Sequence, residues 1–197
     1  MNNTKKLLFN CSVFFLAVLM TVNISAAEKI NVKVSEKASL ALQISSKAAT
    51  GQMLENNKSR NLVVDKNLKK SLLTAAIAYS IGNQALEIEG QTYFLIVTQK
   101  MSRELQGKGF CGAGTEDVLR LVQLDKKHKR LVQTDELLIQ SCLNNIEIYN
   151  DNGQPLRALL TTSADLANPI TLRWLSHPKF GDEYRTISIE SGKLVVR

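Results

Sequence analysis

The 197 residues carry 25 lysines and arginines against 18 aspartates and glutamates, a formal charge of +7, and 44 % of them are apolar. That is one domain's worth of chain, enough to bury most of its surface around a single core, which sets aside a multidomain reading. The charge is modest. It favours anionic partners such as envelope lipids, wall polymers or an acidic protein, while plain solubility accounts for it as well.

Residues 1–27 have the order of a secretory signal peptide. Lys5 and Lys6 form a positive head, an apolar stretch runs from Leu7 to about Val22, and Ser25-Ala26-Ala27 offers small side chains just before Glu28. The unbroken apolar part, Val13 to Met20, is far short of the roughly 20 residues that span a bilayer. Cleavage after Ala27 is expected, leaving residues 28–197 as one β-rich domain with no membrane span. With the two leader lysines gone, 23 basic and 18 acidic residues remain, a charge of +5. The expected location is a periplasm or the cell exterior. Cys11 is a poor lipid-attachment site, since Leu8-Phe9-Asn10 lacks the small residue expected before it.

In the exported part, Ile30, Val32 and Val34 alternate with polar residues and predict a first strand. Ala38 to Ile44 fits strand or helix. Gln52 to Arg60 reads as an exposed loop. Asp65 to Tyr79 predicts a helix, with Asp65 as its cap, Leu68, Leu72, Ala76 and Tyr79 on one face, and Gly82 ending it. From Gln84 onward the pattern turns to strand. Ala85 to Glu89 and Thr92 to Thr98 flank a hairpin turn at Gly90-Gln91. Further strands are expected at Val118 to Leu124, Leu131 to Thr134, Glu136 to Cys142 and Asn145 to Tyr149. The last of these ends at the turn signal Asp151-Asn152-Gly153. Leu156 to Thr161, Ile170 to Leu175, Tyr184 to Glu190 and Leu194 to Val196 complete the set. The expected fold is α+β, mostly β: an antiparallel sandwich or open barrel with one or two N-terminal helices and one disulfide.

That disulfide joins Cys111 and Cys142, the pair left after the leader in an oxidising compartment. Closing a loop of about 32 residues stabilises the fold by roughly 3.7 kcal/mol in the chain-entropy model. The run Gly107 to Gly114 around Cys111 contains G-x-G-x-x-G at 107, 109 and 112. It precedes a strand rather than a helix, so a dinucleotide site is not expected, and a turn serving the disulfide is the simpler reading. Cys111 as a nucleophile would need His128 or His177 as its base. No close pair of ligands suggests a metal, and no cofactor is expected.

The acid pairs Glu116-Asp117, Asp135-Glu136 and Asp182-Glu183 read as solvated turn ends; adjacency alone does not indicate paired-acid hydrolysis, because neighbours on a strand point to opposite faces. The sequence has no G-x-S-x-G, P-loop or HExxH. Lys126, Lys127, Lys129 and Arg130 crowd one hairpin tip and are the candidate contact for an acidic protein or anionic envelope component. Nucleic acid is not expected there, because no aromatics interleave with the cations. Trp174 reads as core. The reading that follows is a non-catalytic exported binding protein, such as an inhibitor, an immunity-type factor or an envelope-associated factor. The alternative is an envelope hydrolase acting on wall or peptide bonds.

Overall fold

The computed structural model describes residues 28–102, 111, 114–127, 129–150, 153–162 and 170–197. Residues 1–27, expected as a signal peptide, and Gly107, Gly109, Gly112 and His128 therefore lie outside the described residues.

The first four strands, β1 (Glu28–Ser35), β2 (Ala38–Ile44), β3 (Ala49–Glu55) and β4 (Lys58–Val64), form an antiparallel meander. The segment 52–60, expected as a loop, lies mostly within β3 and β4. In β3 the exposed positions alternate with buried Gly51 and Met53, and Lys58 to Asn61 at the start of β4 are exposed on both faces. Asn56 and Asn57, with φ of 48° and 61°, make the tight turn between the two strands. A second meander follows: β5 (Ile77–Ile88), β6 (Gln91–Met101), β7 (Thr115–Asp125) and β8 (Arg130–Ser141). The two close on each other through short parallel seams. Lys33 pairs with Gln84, and Val63 and Val64 pair with Arg130 and Leu131. The result is a closed eight-stranded barrel in the order β1-β2-β3-β4-β8-β7-β6-β5. The mostly β, α+β class expected from the sequence is the observed one.

Helix α1 (Lys66–Thr74) carries the chain from one seam to the other. Asp65 caps it as expected, and Leu68 and Leu72 are buried in the barrel's core beside Leu40, Leu42, Phe94, Ile96 and Leu131. The predicted helix was five residues too long. Ala75 is already extended, and Ile77 to Tyr79 belong to β5, where they gain ladder bonds to β6. Gly82, expected to end the helix, sits in β5 at φ 70°, within the register shift between Ile81 and Leu86.

The C-terminal part forms a second sheet, β12-β11-β10-β9, from β9 (Glu147–Ile148), β10 (Ile170–Ser176), β11 (Tyr184–Glu190) and β12 (Lys193–Val196). Its inner face meets the outside of β5–β8. Leu95, Val97, Leu119, Leu121 and Ile139 form a second core there with Leu172, Trp174 and Ile187. Trp174 is fully buried and donates its ring N–H to the Ile139 carbonyl at 2.9 Å. Leu156 to Thr161, expected as a strand, instead belongs to α2 (Leu156–Thr162). Pro155 opens it by accepting from the N–H groups of Ala158 and Leu159. No helix among the described residues is long and apolar enough to cross a membrane.

Candidate functional site

The inward faces of β6 and β7 change character along their length. Toward one end they carry Phe94, Ile96, Val122 and Leu124, all in the barrel core. Toward the other, the same faces carry Thr98 and Lys100 on β6 and Arg120, Val118 and Glu116 on β7. Helix α1 lies across this end. Leu68 and Leu72 face inward, while Asn67, Lys70, Ser71 and Thr74, at helical spacing, form the opposite wall of a cleft. The cleft has a volume of about 340 Å³ and is closed on the β8 side by Gln133 and Glu136.

Its floor is built around Arg120, which is only 8 % exposed. The guanidinium Nε donates to Thr98 Oγ1 at 2.8 Å. Nη1 donates to Gln133 Oε1 at 3.2 Å and to the Glu136 carboxylate. Gln133 Nε2 also donates to Glu136 at 2.9 Å. Burial lowers the Arg120 pKa, and the Glu136 charge and hydrogen bond oppose that. Asp65 fixes the geometry from the helix side. One oxygen accepts from Asn67 and Leu68 N–H, and the other accepts from Gln133 N–H at 2.7 Å.

Glu116 closes the far end of the cleft. Its carboxylate accepts from the Ser102 and Ser141 hydroxyls and, at 3.2 Å, from Leu143 N–H. Burial opposes its charge. The two hydroxyls, that N–H and the nearby Lys100 outweigh burial and hold the carboxyl below its ordinary range. The Cys111–Cys142 disulfide, with a Cα–Cα distance of 5.7 Å, adjoins this network. Gly114 is required beside it, because a Cβ there would lie 2.5 Å from Cys142 Cβ.

The sequence-predicted residues fall in different places. Cys111 is committed to the disulfide. His177 Nδ1 accepts from the N–H groups of Lys179 and Phe180 at 3.0 and 3.2 Å, so it holds a turn, with its ring 5.0 Å from Trp174. Burial and Lys179 lower its pKa and favour the neutral form. Lys126, Lys127, Lys129 and Arg130 sit at the β7–β8 tip as expected. Lys126, however, pairs with Glu87 at 3.1 Å, which also accepts from Thr92, so part of the tip's charge is balanced.

Of the acid pairs expected at solvated turn ends, only Asp182-Glu183 lies in an exposed bend; Glu116-Asp117 is buried in β7, and Asp135-Glu136 lies within β8. Glu116 bonds the serines while Asp117 is buried on the other side of β7. Asp135 accepts from Leu194 N–H at 2.8 Å while Glu136 meets Arg120. Asp182 pairs with Arg173 and Glu183 with Arg185. Among the described residues, no three His, Cys, Asp or Glu side chains converge on a metal-sized site.

Sequence reasoning missed the cleft. By sequence alone, Arg120 is one residue of the strand expected at Val118 to Leu124. The available signal was its position in step with Val122 and Leu124, together with the polar stripe 67, 70, 71, 74 beside the Leu68–Leu72 stripe. Compared with known protein families, curated proteins and solved structures, the chain matches none.

Proposed function

We propose that this chain is a non-catalytic exported binding protein that engages an acidic macromolecular partner in a periplasm or outside the cell. The observation carrying this reading is the state of the groups that chemistry would need. Cys111 is bonded to Cys142, His177 Nδ1 serves a turn, and both Glu116 oxygens accept bonds from the protein's own donors. A hydrolase acid needs a raised pKa in an open cleft. Glu116 lines the cleft but is held ionised, whereas the raised carboxyl, Asp117, is sealed on the opposite face of the strand. The sequence adds the signal-peptide order of residues 1–27, the disulfide and the positive charge.

Affinity capture tests the reading, with oxidised residues 28–197 as bait in envelope and culture-supernatant extracts. One dominant acidic protein, lost as salt rises, is the expected result. Turnover of wall fragments or peptides by the purified bait would favour the envelope hydrolase instead.

A further inference from the structure

We infer that the cleft between α1 and strands β6–β8 is a carboxylate-binding site, in which buried Arg120 exchanges its internal partner Glu136 for an acidic side chain of a partner protein. This deepens the binding reading above and rests on it.

The first ground is the imbalance of the Arg120–Glu136 pair. A buried guanidinium needs a counter-charge, because moving it out of water is costly without one. Among the described residues Glu136 is its only ion-pair partner, and that side chain is 57 % exposed. A carboxylate so accessible is held weakly and is open to replacement by another of the same geometry. The second ground is unused capacity. Arg120 Nη2 has no hydrogen-bond partner among the described residues and is not among the atoms sealed from solvent. A guanidinium offers paired donors that match a carboxylate, so a second or substitute carboxylate finds a fork already aimed by Thr98 and Gln133.

Charge around the cleft selects the same occupant. Lys70 on α1 and Lys100 on β6 line it and are exposed, and Ser71 adds a hydroxyl. Glu116 is matched by two hydroxyls and an N–H, and Glu136, once displaced, keeps its bond from Gln133 Nε2 and stays largely in solvent. The groups that then face a ligand are Arg120, Lys70, the Ser71 hydroxyl and Lys100, whose charge is shared with Glu116. By contrast, the β7–β8 tip has Lys126 tied to Glu87.

The test uses isotope-labelled, oxidised residues 28–197, observing backbone amides and arginine Nε–H groups by NMR. The titrants are a blocked peptide with three consecutive glutamates, its glutamine counterpart, and inorganic phosphate. The expected result is a saturable shift of Arg120 Nε–H and the Ser71 and Lys100 amides with the glutamate peptide alone. Glu136→Gln keeps an oxygen for Arg120 but removes the competing charge, and should tighten binding about tenfold, the worth of one charge-assisted bond. Lys70→Ser with Lys100→Ser should weaken it, and both substitutions are at exposed positions that leave the fold intact. Shifts confined to residues 126–130 would overturn the cleft as the site while leaving the binding reading standing. Response to phosphate and not to the peptide would overturn the carboxylate assignment. No response to either would overturn the site altogether, and capture of a partner by the bait then decides the broader reading separately.

Discussion

Asp117 and Glu116 are adjacent in sequence and opposite in electrostatics. Glu116 meets two hydroxyls and an N–H, so it stays charged. Asp117 is fully buried, and one of its oxygens has no hydrogen-bond partner among the described residues, nor does the nearby Tyr79 hydroxyl. Burial pushes the Asp117 carboxyl from 3.8 up to about 6, with the Glu116 charge adding to the rise and hydrogen bonds from Gln99 and Thr115 opposing it. A carboxyl raised on folding binds its proton more tightly in the folded state. Its contribution to stability is therefore full below about pH 4 and is lost as pH rises through about 6. Asp117→Asn should accordingly stabilise the protein at pH 7 by up to about 3 kcal/mol and flatten the stability profile between pH 4 and 6. Urea unfolding across that range measures it. An unchanged slope would show that the carboxyl is not the strained group. The sequence places the expected strand at Val118 to Leu124 and leaves Glu116 and Asp117 at its solvated end, whereas β7 begins at Thr115 and buries both. The difference in their environments was not legible from sequence, because it depends on Ser102 and Ser141, 14 and 25 positions away.

At the scale of elements, α1 is held as much by what it touches as by its own propensity. Nine residues are too few to be stable alone, so the cap and the core contacts decide. Asp65 spans both roles by capping the helix and accepting from Gln133 N–H of β8. Asp65→Ala removes the cap and orphans that N–H, at an expected cost of about 2–4 kcal/mol. Asp65→Asn, which keeps one acceptor oxygen, should recover part of it. Thermal and urea unfolding of the two variants check this, and equal stabilities would mean the helix is held by Leu68 and Leu72 alone. The cap and those two leucines were legible because local chemistry sets them. The helix end was not, since Ala76 and Tyr79 continue the helical spacing of Leu68 and Leu72, and it is pairing of Ile77 to Tyr79 with β6 that makes the segment a strand. Leu156 to Thr161 failed for the same reason in reverse: a short apolar run has no period of its own.

For the molecule as a whole, the mostly β class was legible in alternating residues and turn signals. Closure of the barrel was not. It depends on a single pair at one seam, Lys33 with Gln84, and on two pairs at the other, Val63 and Val64 with Arg130 and Leu131. Parallel contacts so short and so distant along the chain leave no local pattern. Closure nonetheless creates the cleft, because a link from β4 to β5 has to cross the barrel's end, and α1 does so with one face in the core and the other toward β6–β8.

The most direct test of this account compares three baits in one capture experiment: the unaltered chain, Lys70→Ser with Lys100→Ser, and Lys127→Ser with Lys129→Ser and Arg130→Ser. All substituted positions are exposed, so the three should melt alike. The account predicts that the tip variant keeps the acidic partner and the cleft variant loses it. Loss at the tip with retention at the cleft would contradict it.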